Sequence, residues 1–398
     1  MPPLIAPRRA PAARRQAWSW RSRRVRGVAY QVLVVLAIVA LASLLVGNTL
    51  QNMRLRGIQS GFDFLTQPAG FDIGEGWLPY ESIDPYWKAF LAGIVNTLRV
   101  AIIGIVLATF LGTALGIGRY SRNALLRGLC YGYVELFRNI PVLLQLLMWY
   151  LLLTEYLPLP NEALRLGNLF FLSKNGLSFP ALQWESGHWF AVAGLLLGGI
   201  ASGGYMRFAR TRFERTGRPL PVAAVVLLLL LATSWGGWLA GGAPARFAFP
   251  EVAEFQIEGG AALSPEYLAV LLGLVLYTAA FIAEVVRAGI ASVPQGQHEA
   301  SASLGLPRAR SMRLVVLPQA LRLITPPLTN QYLNLTKNSS LAVAVGYPDV
   351  VSIANTALNQ SGRAVECIVV IMAVYLTLSL VTSALMNRVN RRAVIKER

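Results

Sequence analysis

Charge is scarce in this sequence. Only 14% of its 398 residues are Asp, Glu, Lys or Arg, while 55% are hydrophobic. A soluble chain of this length would need far more charge to cover its surface. Cysteine is nearly absent: Cys130 and Cys367 lie far apart, in or beside apolar runs, and read as small buried hydrophobes. With His188 and His298 the only histidines, no zinc-type ligand cluster is visible. There is no Gly-x-x-x-x-Gly-Lys-Ser/Thr stretch, so the chain should bind no ATP through a P-loop and needs no cofactor of its own. Neither His-Glu-x-x-His nor Gly-x-Ser-x-Gly occurs, and Gly116-Ile117-Gly118 is too short to specify a site. Together these absences argue against an enzyme.

What the sequence does hold is a series of apolar runs near the length needed to cross a bilayer. They fall at about 28–46, a run ending near 117, 141–157, 189–206, 220–239, 267–290, 318–345 and 368–385. The formal charge of +17 sits in short basic blocks beside these runs. That pattern sets membrane orientation and gives anionic lipids as counterions, rather than marking a nucleic-acid partner. Arg119, Arg122 and Arg127, then Arg207 to Arg218, then Arg308 to Arg313, then Arg388 onward fall on one side. The loops with Asp63, Asp72, Glu75, Glu81 and Asp84, and with Glu251, Glu254, Glu258 and Glu266, fall on the other. The expectation is an all-α integral membrane protein with about eight transmembrane helices and both termini in the cytoplasm. The arginine-rich start precedes an apolar run with no clear small-residue cleavage site, and reads as a retained anchor. No alternating pattern suggests strands, and no internal repeat is evident.

Four constellations stand out. The first is a polar island from His298 to Pro318. Small residues let a short helix seat in a partner's groove, and Glu299 offers an anion near its start. Gly305 permits a turn, and Pro318 suits the first turn of the next helix. The bland alternative is an ordinary connecting loop. The second places Asn330, Asn334, Lys337 and Leu341 at i, i+4, i+7 and i+11, with Gln331 and Asn338 beside them and Pro326-Pro327 expected to break or kink the helix before them. Such a face lines a pathway or serves as interhelical glue. The third is Thr278, Glu284 and Arg287, read as a local ion pair at the membrane boundary or as a control on solute entry. In the fourth, Glu135 and Arg138 are spaced to meet on one helical face before Pro141 and Gln145, as an elbow positioning the next span.

Several of these stretches resemble one family. Glu299-Ala300-Ser301, three residues, Gly305, nine residues, Val315, one residue, Leu317-Pro318 is similar to the EAA loop of bacterial ABC-importer permeases, with Ser for the second Ala and Val for Ile. Asn96-Thr97-Leu98, Tyr133 to Pro141 with Gln145, Ala283 to Ile290, and Asn334 to Leu341 look like the polar amino-acid branch of that family, in its extended general L-amino-acid form. The resemblance implies a five-helix core in two parts, 88–157 and 266–389, the latter holding a cytoplasmic coupling loop at about 291–318. Charge and hydropathy add a basic tail at 1–27, an anchor helix at 28–47, a periplasmic loop at 48–87, an insertion with two extra helices at 158–265 and a basic tail at 390–398. The resemblance also implies an inner-membrane permease that moves L-amino acids into the cytoplasm. Its partners would be two ATP-binding subunits that hold ATP and Mg, a second homologous permease, and a periplasmic amino-acid-binding protein. Coupling would fall to Glu299, Ala300, Ser301, Gly305 and Pro318, and the pathway to Thr278, Glu284, Asn330, Asn334, Lys337 and Asn338. A stand-alone ion-driven transporter or channel is the other reading, and Glu284 and Lys337 are its only tempting ion-site residues.

Overall fold

The computed structural model describes residues 23–393 apart from 56, 58, 59, 168, 254 and 255. The basic tails therefore lie outside the described residues over 1–22 and 394–398, as does Glu254. The chain is mostly helical. Among the described residues six helices are long and apolar enough to cross a membrane, and two bent pairs bring the number to as many as eight.

Helix α1 (Arg23–Leu55) is followed by an irregular segment, then α2 (Tyr86–Gly118), α3 (Ala124–Asn139) and α4 (Val142–Leu151), which runs into a π-turn at Leu152–Tyr156. The chain bends by 103° between α3 and α4. Pro141 follows an extended Ile140 there, because a residue before proline is pushed out of the helical region. Gln145 fixes the elbow by donating through Nε2 to the carbonyl oxygens of Phe137 and Ile140, both at 2.9 Å.

Next come strands β1 (Leu164–Leu166), β2 (Phe170–Ser173), β3 (Gly176–Phe179) and β4 (Ala181–Leu182), and helices α5 (His188–Thr216) and α6 (Val222–Ala240). Strands β5 (Phe247–Ala248), β6 (Glu251–Val252), β7 (Ile257–Glu258) and β8 (Ala261–Leu263) lead back into α7 (Pro265–Ala291). An antiparallel sheet ordered β1-β2-β3-β8 and two short ribbons thus join the α5–α6 hairpin to the rest. The sequence reading had only loops here, because strands this short show too few residues for a period-two pattern.

The remaining helices are α8 (Gln295–Ser303), α9 (Arg308–Ser311), α10 (Leu317–Asn338), α11 (Val350–Ser361) and α12 (Ala364–Ala393). A π-turn at Met312–Val316 joins α9 to α10, and a tighter 3-10 turn covers Ser339–Val345. Helix α11, bent by 50° from the preceding segment, was not anticipated.

The core is built on α2 and α7, which run parallel. Buried Gly104, Ala108, Gly112 and Gly116 recur every fourth residue and form a smooth stripe along α2. A Cβ on Gly112 would come within 2.7 Å of the Ala279 carbonyl oxygen, and one on Gly116 within 2.8 Å of that of Ala283. Small residues at this spacing let two membrane helices approach closely, where dispersion rather than water exclusion drives association. Leu146, Leu274, Ile282, Ile324 and Leu335 fill the cluster around the pair. A second cluster joins Phe64, Tyr86, Phe90, Val350, Ile353 and Cys367. It seats the 60–85 segment on α11 and α12, aided by the Arg363–Asp63 ion pair (3.1 Å) and by the Gly61 N–H donating to Glu366 (2.6 Å).

Candidate functional site: a projecting helix and a polar helix face

Helix α8 lies outside the packed core, at the end of α7 where the basic residues gather. Its side chains are exposed, Glu299 and Ala300 included, except that of Ser301, which is 3% exposed. Its C-terminus closes in a Schellman arrangement: the Leu306 N–H donates to the Ser301 carbonyl oxygen (3.1 Å) and the Gly305 N–H to that of Ala302 (2.9 Å). Gly305 occupies the left-handed region at φ +67°, where a side chain is strained. Ser301 does not face outward as a docking residue would. Its hydroxyl donates to the His298 carbonyl oxygen (2.8 Å) and shares a 2.6 Å hydrogen bond with Ser311 Oγ. It therefore pins α8 to α9, a use that the alanine of the EAA pattern lacks the atom for.

From α9 the helix continues without a break into α10. Pro318 has no N–H for the carbonyl four residues earlier. The wider π-turn just before it relaxes the hydrogen-bonding pattern at that position. Pro326 and Pro327 also lie inside α10 and do not end it, so of the expected break or kink the break does not occur. Beyond them Asn330, Asn334 and Lys337 are exposed along one face, with Gln331 and Asn338 half-buried at its edge. The face stops at Asn338. The 3-10 turn tightens the register there and rotates Leu341 against the core.

The third constellation divides. Thr278 of α7 is buried at 3% exposure. Glu284 does pair with Arg287, through Nη2 at 2.5 Å and Nε at 3.1 Å, and it also accepts from Arg119 Nη1 at 2.5 Å. Arg138 joins at 4.0 Å and lies over the Phe281 ring, 5.4 Å from its centroid. The expected Glu135–Arg138 pair is not formed; Glu135 is approached instead by Asn139 Nδ2. Spacing on α3 could not reveal this, because the partner stands on α7. Beside the cluster a cavity of about 490 Å³ opens between α3, α7 and α10, lined by Arg138, Phe281, Glu284, Pro327 and Gln331 among others.

At the opposite end, Arg99 of α2 is 6% exposed. It is bonded to Glu75 at 2.7 Å and covered by the rings of Tyr267 (4.0 Å) and Trp77 (5.1 Å). Ser264 donates to the other oxygen of Glu75. Asn96 donates to the carbonyl oxygens of Glu75 (2.9 Å) and Pro348 (3.0 Å), and the Val350 N–H donates to Thr97 Oγ1 (3.2 Å). A second cavity, about 430 Å³, opens there among Asp72, Glu75, Ser264, Glu266, Ser352 and Thr356. Neither cavity was legible from residue spacing. Among the described residues, no group of three or more His, Cys, Asp or Glu could hold a metal ion.

A tightly packed helical core, a small exposed helix joined to a polar-faced span, and a cavity at each end together define a membrane transport component. The family described as binding-protein-dependent transport system inner membrane component matches residues 192–395. The chain belongs to that family, as a permease subunit. It is 46% identical over 386 residues to the putative amino-acid ABC transporter permease protein YhdX of Escherichia coli K12, covering 96% of this chain and 97% of that one. It is 42% identical to the general L-amino acid transport system permease protein AapQ of Rhizobium johnstonii, over 96% of each chain. With the glutamate/glutamine/aspartate/asparagine transport system permease protein BztB of Rhodobacter capsulatus the identity is 38%, over 94% of this chain and 95% of the relative.

Proposed function

We propose that the chain conducts L-amino acids across the bacterial inner membrane into the cytoplasm, as one permease of an ATP-driven importer. Both termini and α8 would lie on the cytoplasmic side, as the basic blocks favour. Two ATP-binding subunits, which would hold ATP and Mg, dock on α8 through Glu299, Ala300 and the turn at Gly305. A second, homologous permease stands against the exposed face of α10, so that Asn330, Asn334, Lys337 and Asn338 border a path between the two chains. A periplasmic amino-acid-binding protein delivers solute to the acidic end.

The observation that carries this reading is mechanical. An exposed helix outside the core is pinned through Ser301 and Ser311 to a continuous helix whose last turns expose Asn330, Asn334 and Lys337. Polar side chains on a membrane helix avoid lipid, so that face calls for a partner or a water-filled path. The names borne by relatives that align over nearly the whole chain support amino acids as the solute class.

The test is reconstitution of the chain with its ATPase, paired permease and binding protein in proteoliposomes, followed by uptake of labelled L-glutamine and L-glutamate. ATP-dependent uptake that Glu299→Ala or Gly305→Asp uncouples from ATP hydrolysis is the expected result. Uptake by the chain alone in an ion gradient would overturn the proposal.

A further inference from the structure

The cluster around Glu284 holds more cation than its carboxylate can engage. Arg287 and Arg119 donate to the two oxygens of Glu284 at 2.5–3.1 Å. Three arginines against one glutamate leave a local surplus of positive charge. That surplus sits on Arg138, which stands 4.0 Å from Glu284 and makes no hydrogen bond with any described residue. Its side chain is 36% exposed, and the Phe281 ring beneath it steadies the guanidinium without using any N–H. A planar fork of free donors held in place is suited to a carboxylate, which it can bind through two parallel hydrogen bonds.

The space in front of Arg138 fits that use. The cavity of about 490 Å³ lies within the range of small-molecule sites. Its wall on α10 is formed by Leu323, Pro327 and Gln331, spaced at i, i+4 and i+8. Asn334 and Asn338 extend the same stripe, and Asn330 and Lys337 flank it. The exposed polar face of α10 thus adjoins the cavity through Gln331. Gln331 adds a side-chain amide with no intramolecular partner among the described residues, able to accept from an ammonium group.

We propose that this cavity is a carboxylate-binding station at the basic end of the transport path, where Arg138 holds the α-carboxylate of the amino acid before release. It rests on the reading of the chain as an amino-acid permease. Because it addresses the α-carboxylate, which all such solutes share, the station is indifferent to the side chain and suits a carrier of broad range.

The test uses the complete importer. In lipid nanodiscs without the binding protein, binding of L-glutamine is compared with that of L-glutaminamide, which lacks the carboxylate. The wild type should prefer L-glutamine by about ten-fold or more, the worth of a charge-assisted hydrogen bond. Arg138→Gln should bring the ratio close to one, and Arg138→Lys should retain part of it. In proteoliposomes Arg138→Gln should slow L-glutamine uptake while its thermal unfolding stays near that of the wild type. An undiminished preference in Arg138→Gln overturns the station while leaving the permease reading intact. Should Arg138→Gln fail to assemble, Gln331→Met and Arg138→Lys carry the test: full preference and full uptake in both overturn the station. Failure of the wild-type importer to take up either labelled amino acid overturns the permease reading itself, and the station with it.

Discussion

Two charged clusters cap the α2–α7 pair, one enclosing an arginine and the other a glutamate. At the acidic end Arg99 is sealed between Glu75 and two aromatic rings, and Glu75 is bonded in turn to Ser264. At the basic end Glu284 takes hydrogen bonds from Arg119 and Arg287, and Arg138 is left over beside a cavity. The closed cluster ties the 60–85 segment and the start of α7 to α2. The open one keeps unused hydrogen-bonding capacity toward the face along which a solute would pass. Fixed charge in a membrane protein is costly, and the two ends show its two uses, as a fastening and as a receptor.

The comparison can be broken most forcefully at its closed end. Arg99→Ala leaves Glu75 without its cation in a nearly buried setting, and should cost about 3–5 kcal/mol, read as a large fall in thermal unfolding temperature in detergent. The double change Arg99→Met with Glu75→Met should recover much of that loss, because breaking a buried pair costs more than replacing both partners. At the open end Glu284→Gln should cost less, about 2 kcal/mol, since the site is partly solvated and its arginines can turn to water. Its larger effect should be on uptake, because three cations would then crowd the cavity mouth. Smaller again is Gly305→Ala, about 1–2 kcal/mol of local strain at the left-handed position. It should lower ATP-coupled uptake with little change in the amount of protein in the membrane. The smallest effect belongs to Lys88→Ala. Lys88 Nζ, 2.6 Å from Asp84, holds that carboxyl below its usual range. A lowered folded-state value contributes stability above the carboxylate range and loses it as pH falls through that value. The small difference in unfolding temperature between wild type and Lys88→Ala should therefore close in acid.

What the sequence disclosed follows from how each signal is written. Long apolar helices and the polar island are local, so run length and spacing reveal them: α2, α7 and α12 cover the expected spans, α7 almost end to end and α12 running on to Ala393. The Glu284–Arg287 pair was readable because both residues stand on α7, one turn apart. Arg119 and Arg138 were not, because their meeting with Glu284 depends on how α2 and α3 pack on α7. Ser301 reads as one more small residue until Ser311, ten positions on, is seen against it. The sheet of β1, β2, β3 and β8 escaped because it pairs strands on either side of the α5–α6 hairpin, and each strand alone is only three or four residues long. Helix α11 escaped because it is short and its start hides behind Gly346, Tyr347 and Pro348. The Pro326-Pro327 pair does not break α10 because membrane helices tolerate prolines that a soluble helix would not.

The unbroken path from Arg308 to Asn338 has one further consequence. At 1.5 Å per residue it forms a strut of roughly 45 Å, loaded at one end by α8 and bearing its polar face toward the other. A strut transmits displacement in proportion to its stiffness, and this one has two compliant places: the π-turn at Met312–Val316 and the proline pair. If a partner docks on α8 as proposed, its motion would be taken up in part as local twist at the first. Beyond the second, whatever remains reaches the asparagines together. Under the proposed function, the stroke delivered along the polar face would depend on these two short segments of backbone, neither of which need touch a solute or an ATPase.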